Sequence, residues 1–240
     1  MFLPQAYYDG AIQAIEDIHI SPLDLGVQRG YSVFDFLKII DHKNPWLDDY
    51  LNRLYRSAQE VNIQISEKRS AWPSIIEDLL SANQADSAYI KVIVSAGSTD
   101  NGYNPISKSK TLLLCSEVNV LPAHIYESGA KLTLREYSRD IPHIKTTNYL
   151  FSASQAIDIE DTDVVDILYH SDDLITECSR CNFFIVTDTA ICTPAQSILE
   201  GITRKRVLAY SGCSLPYQKS EVSIADFMAQ QIPISLFGPY

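Results

Sequence analysis

Alternation of apolar and polar residues opens the chain. Tyr7 and Tyr8 lead into Asp9-Gly10, and Ile12 to Ile15 follow. Asp-Gly between apolar runs predicts a hairpin, because such a two-residue turn needs positive φ at both positions. Ser32 to Ile40 (SVFDFLKII) predicts a strand, closed by the turn residues Asp41 to Pro45. The period then changes: Leu47, Leu51, Leu54, Ala58 and Val61 recur at helical spacing and predict a helix over Leu47–Asn62. A second helix is predicted over Trp72–Asn83. Tyr89–Ser95 and Thr111–Glu117 are strand-like, and a loop rich in Gly, Asn and Ser separates them.

Around Asn119 to Ser128 the pattern lapses, with Pro122 as a breaker. A domain boundary is expected there, giving a small N-terminal α+β domain over 1–120 and a second domain over 121–240. Lys131–Tyr137 then predicts a strand, Thr147–Ile159 a helix, and Val164–Tyr169, Leu174–Cys178 and Phe183–Thr187 three more strands. Ile202–Tyr210 predicts a short helix opened by Gly201. Strands outnumber helices and hairpin-length connections dominate, so the expected fold class is α+β rather than a doubly wound parallel sheet.

Composition narrows the partners. The 240 residues are 46% apolar, enough for a sizeable core, and carry a formal charge of −11. That charge argues against nucleic acid or an anionic membrane as the main partner. An anionic small molecule held by a few cations stays compatible with it. The five cysteines (Cys115, Cys178, Cys181, Cys192, Cys213) form an odd set without framework spacing, which suits free thiols in a reducing compartment. MFLPQAYYDG has neither a basic n-region nor a long apolar stretch, and no apolar run approaches the roughly 20 residues of a membrane span. A soluble cytoplasmic protein is expected.

Four segments hold candidate chemistry. In HIKTTNYL, Lys145 stands among apolar and hydroxyl residues at the mouth of a predicted helix, where desolvation makes an amine nucleophilic toward an aldehyde. In ITECSRCNFFIV, Glu177 ends one predicted strand and Asn182 opens the next; a carboxylate against a pyridine nitrogen keeps that nitrogen protonated. In LEGITRKRV, Gly201 allows close backbone approach, and the amides of Ile202 and Thr203 open a helix, an arrangement suited to phosphate. In YLNRLYRSA, Arg53 lies off the apolar stripe of its helix, with two donors for a phosphate. Taken singly, each segment also reads as an ordinary surface lysine, strand end, helix cap or solvated arginine.

In order and spacing, the four together resemble the fold-type IV pyridoxal-phosphate enzymes: branched-chain and D-amino-acid aminotransferases and aminodeoxychorismate lyase. SPLDLGVQRGYSVFD (Ser21 to Asp35) and KVIVSAGSTDNGY (Lys91 to Tyr103) add to the match, which runs from about Tyr7 to Asp226. The resemblance implies a larger, barrel-like C-terminal α/β domain that binds pyridoxal 5'-phosphate, and a homodimer. It implies that Lys145 is the Schiff-base lysine and proton carrier and that Glu177 pairs with the pyridinium nitrogen. Arg53, Ile202 and Thr203 would hold the phosphate, Gly201 would let the backbone approach the cofactor, and Asn182 would support the pocket. Amino acids and 2-oxo acids would be the substrates, with no metal ion.

Within the family, the substrate grip differs. D-amino-acid aminotransferases carry a tyrosine where this chain has Phe34 and an Arg-x-His where Ser98 to Tyr103 has neither residue. The lyases carry an arginine where Asn101 stands and a proton-relay threonine where Phe36 stands. A branched-chain-like or other small-amino-acid aminotransferase is therefore the expected activity, with 4-amino-4-deoxychorismate lyase and a non-catalytic ligand-binding member as alternatives. Arg29 and Tyr31, with Phe34, are candidate substrate contacts. After Ala225–Met228 the sequence reaches Gln231–Ile234 with less loop than the family's Thr/Ser-rich phosphate segment; either disordered residues are left out there or the loop is truly deleted, and a true deletion would weaken cofactor binding. Cys178-x-x-Cys181 lacks a second pair for zinc, the five histidines are scattered, and the acidic run Asp158 to Asp163 is expected to be a solvated helix end.

Overall fold

The structure is a computed structural model that describes residues 1–119, 122–157, 164–229 and 234–237. The Asp9-Gly10 turn forms with φ of 48° and 101° and joins β1 (Phe2–Tyr8) to β2 (Ala11–Ala14). A short helix that no sequence period announced, α1 (Leu25–Arg29), follows. Asp24 caps it by accepting from the Gly26 amide, and Gly30 ends it in the left-handed conformation, φ 62°. β3 (Ser32–Ile39), α2 (Leu47–Glu60), α3 (Trp72–Ala82), β4 (Ala88–Ser95) and β5 (Lys110–Ser116) come next. The strands form one antiparallel sheet in the order β2-β1-β5-β4-β3.

Alternation on β3 sorts its side chains between the two faces of that sheet. Val33, Asp35, Leu37 and Ile39 are buried on the face packed by α2. Phe34 and Phe36 point the other way, beside Ile93 and Lys91, their register partners on β4.

The chain divides into two compact units, and the first takes up Ile144–Asn148 as well as Met1–Asn119. That late segment is extended and runs along the edge of β3: the Phe34 amide donates to the Lys145 carbonyl at 2.9 Å and the Thr147 amide to the Ser32 carbonyl at 3.1 Å. The helix predicted from Thr147 therefore begins later, at Leu150, because Thr146 and Thr147 are spent on strand pairing.

The second unit contains α4 (Ala123–Ser128), β6 (Lys131–Glu136), α5 (Leu150–Ile157), β7 (Val164–Ser171), β8 (Leu174–Cys178), β9 (Asn182–Val186), β10 (Ile191–Pro194), α6 (Ile202–Leu208), β11 (Tyr217–Ser220), α7 (Ile224–Ala229) and β12 (Ile234–Phe237). Its strands form two sheets, β6-β7-β8 and β11-β10-β9-β12, each with one parallel pair. Leu168, Ile175, Phe183, Ile185 and Val222 make their common core. The predicted strands of this half all form; β10, β11 and β12 were not anticipated, being only four residues each. The acidic run 158–163 and residues 230–233 lie outside the described residues.

Candidate active site

In the first unit, the site is built on the β3 face that carries Phe34. Strand pairing lays Lys145 against β3, and its amide donates to the Ser57 hydroxyl of α2 at 3.3 Å. The side chain is buried, with Nζ 4.5 Å from the centre of the Phe34 ring. A second amine shares that ring: Lys91 Nζ lies 5.1 Å from the same centroid. Burial pushes the Lys91 ammonium below its ordinary value. Lys91 was not singled out in the sequence, although one lysine in the middle of AYIKVIVS was the available signal.

Arg53 departs from expectation. It is not off the packed stripe of α2 but on it, buried with Leu51, Leu54 and Ser57. Its Nε and Nη2 donate to the two oxygens of Asp35 at 2.9 and 2.6 Å, a fork-to-fork pair on the helix-packed face of β3. The sequence period marks a charged residue as solvent-facing; a buried partner eighteen residues earlier reverses that.

Arg29 and Tyr31 have structural partners. The exposed Arg29 donates to the Gly102 carbonyl at 3.1 Å and its guanidinium lies 4.9 Å from the Tyr103 ring centre. The Tyr31 hydroxyl donates to the Val61 carbonyl at 2.5 Å. Asn101 shapes its loop: its side-chain oxygen accepts from the amides of Tyr103 and Asn104.

In the second unit, Glu177, Asn182 and the turn before α6 form one connected network. Glu177 Oε2 accepts from the Leu199 amide at 2.8 Å and from Asn182 Nδ2 at 3.4 Å. Asn182 Nδ2 also donates to the Leu199 carbonyl at 2.7 Å, and its Oδ1 accepts from the Gly201 amide at 3.1 Å. Gly201 is required by space, since a Cβ there would overlap the Asn182 side-chain oxygen. Ile202 and Thr203 lie in the first turn of α6, where amides have no intrahelical acceptor. Arg139, another residue the sequence did not mark, donates to Glu177 Oε1 at 2.6 Å.

Taken unit by unit, this arrangement offers a buried amine beside an aromatic ring, and a buried carboxylate anchored to a glycine turn that opens a helix. The family model for class IV amino-transferases matches residues 32–234. The chain belongs to the class IV aminotransferase family. A Methanocaldococcus jannaschii relative named as a branched-chain-amino-acid aminotransferase is 29% identical over 210 residues, 84% of this chain and 73% of that one. A D-alanine aminotransferase of Listeria monocytogenes is 22% identical over 88% of this chain and 76% of its own length. Among solved structures, the branched-chain amino acid aminotransferase of Escherichia coli superposes with a TM-score of 0.87 at 21% identity, covering 99% of this chain and 83% of that one. The 4-amino-4-deoxychorismate lyase of Pseudomonas aeruginosa gives 0.80 at 19% identity, covering 97% and 87%. These likenesses establish the fold. The family's enzymes depend on pyridoxal phosphate, and among the described residues no helix is long and apolar enough to cross a membrane.

Proposed function

We propose that this protein is a pyridoxal 5'-phosphate-dependent aminotransferase that moves an amino group between a small, branched-chain-like amino acid and a 2-oxo acid. The observation that carries the reading is the buried Lys145 amine held over Phe34 by strand pairing. The residues fit the cofactor: an amine for its aldehyde, a donor-anchored carboxylate for its ring nitrogen, and a glycine turn with open amides for its phosphate. When bound, pyridoxal phosphate supplies an electrophilic carbon and a ring that accepts the electrons released at the substrate carbon.

Lys145 Nζ would then hold the cofactor covalently, and as a free amine it would be the base that moves the proton at the substrate α-carbon. Glu177 keeps the ring nitrogen protonated. The amides of Ile202 and Thr203, with Arg53 set in its plane by Asp35, are the proposed phosphate ligands, and Asn182 ties the glutamate to the Gly201 turn. Lys91 is assigned to the substrate carboxylate, because an anionic partner offsets the cost of burying its ammonium. A homodimer and a cytoplasmic setting complete the reading; among the described residues none of the five cysteines forms a disulfide.

The lyase is the second reading, favoured by the KVIVSAGSTDNGY segment. It is weakened because Phe36 cannot relay a proton and Asn101 is committed to its own loop. The wild type should be yellow with added cofactor and should retain it after borohydride reduction, whereas Lys145→Ala should not. Amino transfer from branched-chain donors to 2-oxoglutarate should occur without release of 4-aminobenzoate from aminodeoxychorismate. A wild type that stays colourless would remove the cofactor and leave only a ligand-binding member of the family.

A further inference from the structure

Arg139 follows β6 in a loop that no sequence pattern distinguishes, yet its guanidinium reaches one of the most enclosed carboxylates of the second unit. Nη2 donates to Glu177 Oε1 at 2.6 Å and to the Pro142 carbonyl at 2.5 Å, with the two side chains 14% and 7% exposed. The pairing is not the forked one an arginine normally makes with a carboxylate. One nitrogen serves both acceptors, and Arg139 Nε is buried with no hydrogen-bond partner among the described residues. The geometry thus follows the needs of Glu177, whose Oε2 is already set by the Leu199 amide and Asn182.

Arg204 and Cys178 also bear on Glu177. Arg204 is buried and acts from farther off, its donors going to the Thr193 hydroxyl and the Pro194 carbonyl. The Cys178 thiol is pushed well above its ordinary value by its hydrogen bond with Cys181 and by burial, so it is uncharged at neutral pH. Neither replaces a guanidinium in contact with the carboxylate.

We propose that Arg139 is a positioning residue that holds Glu177 ionised, and fixed in orientation, before any ring nitrogen arrives. The cofactor side of this statement rests on the function proposed above; the charge-holding side does not. A buried carboxylate without a cation is driven toward its neutral form, and a neutral, reorientable Glu177 would meet the cofactor unprepared. The rival role is mechanical: Arg139 would merely pin its loop through the Pro142 carbonyl.

The experiment is a double-mutant cycle of Arg139→Gln and Glu177→Gln, read first on the urea midpoint of the cofactor-free protein. Charge-holding predicts that Arg139→Gln lowers the midpoint strongly when residue 177 is Glu and little when it is Gln. Loop-pinning predicts the same loss in both backgrounds, and that result overturns the proposal. The second readout is the dissociation constant of pyridoxal 5'-phosphate between pH 6 and 8. Arg139→Gln should weaken binding roughly tenfold, one pKa unit of differential interaction, with a steeper pH dependence than the wild type's, and Arg139→Lys should recover most of it. Should Arg139→Gln fail to fold, Arg139→Met, which likewise removes the charge, carries the same cycle, and zero coupling rejects the idea. A wild type that binds no cofactor would defeat the proposed function while leaving the cofactor-free cycle readable.

Discussion

Lys91 shows how one residue sets stability against function. Its ammonium sits beside Phe34 on a strand face, and burial is the cause that lowers its proton affinity. Because the folded value lies below the unfolded one, the unfolded state holds more protons between them. The cost of burying the charge is therefore present at neutral pH and fades as pH rises through the folded value toward the unfolded one. Lys91→Met should raise the melting temperature at pH 7 by a few degrees and flatten the alkaline rise in stability. The same variant should raise KM for the amino acid at least tenfold while leaving pyridoxal phosphate retention intact. An unchanged KM would remove Lys91 from the substrate site. This is the usual bargain at a binding site, where a group that weakens the fold is kept for its ligand.

At the scale of elements, β3 and α2 are joined by the Asp35–Arg53 pair as well as by apolar packing. Both charges are buried, with side chains 1% and 8% exposed. Such a pair adds little net stability when intact, but removing one partner strands the other away from water. Asp35→Ala should cost roughly 3–5 kcal/mol in urea unfolding, and the double variant Asp35→Ala/Arg53→Met should recover a good part of it. Equal losses in the single and double variants would show that packing, not the stranded charge, is responsible. The pairing also accounts for the misplacement of Arg53 by helical periodicity. A wheel reads charge as exposure, and only the strand opposite reveals a matching acid. The delayed start of α5 has a similar origin. Thr146 and Thr147 occupy the edge of a strand more than a hundred residues earlier, and no local propensity encodes that pairing.

For the whole molecule, the excess of acids matters more than any one pair. A net charge of −11 on 240 residues makes the folded chain repel itself. At 0.15 M salt the screening length falls to about 8 Å, so raising ionic strength from about 0.01 M should increase the melting temperature near neutral pH. A fall instead would mean that attractive surface pairs such as Arg69–Asp48 and Met1–Glu117 outweigh the repulsion.

What the sequence determined by itself is what neighbours along the chain can encode. The period-two and helical repeats placed the Asp9-Gly10 hairpin, β3 to β5, α2, α3 and the strands β6 to β9. The order of Arg53, Lys145, Glu177 and Gly201 pointed to the class IV family that the family model then matched. Tertiary structure alone decided which distant groups meet. It laid Lys145 along β3, turned Arg53 inward onto Asp35, placed Lys91 over the ring shared with Lys145, and brought Arg139 to Glu177. Short-range periodicity reflects which face of an element avoids water, and burial drives it locally. An ion pair or an edge pairing between residues tens of positions apart depends on how the intervening chain closes, and leaves no period to read.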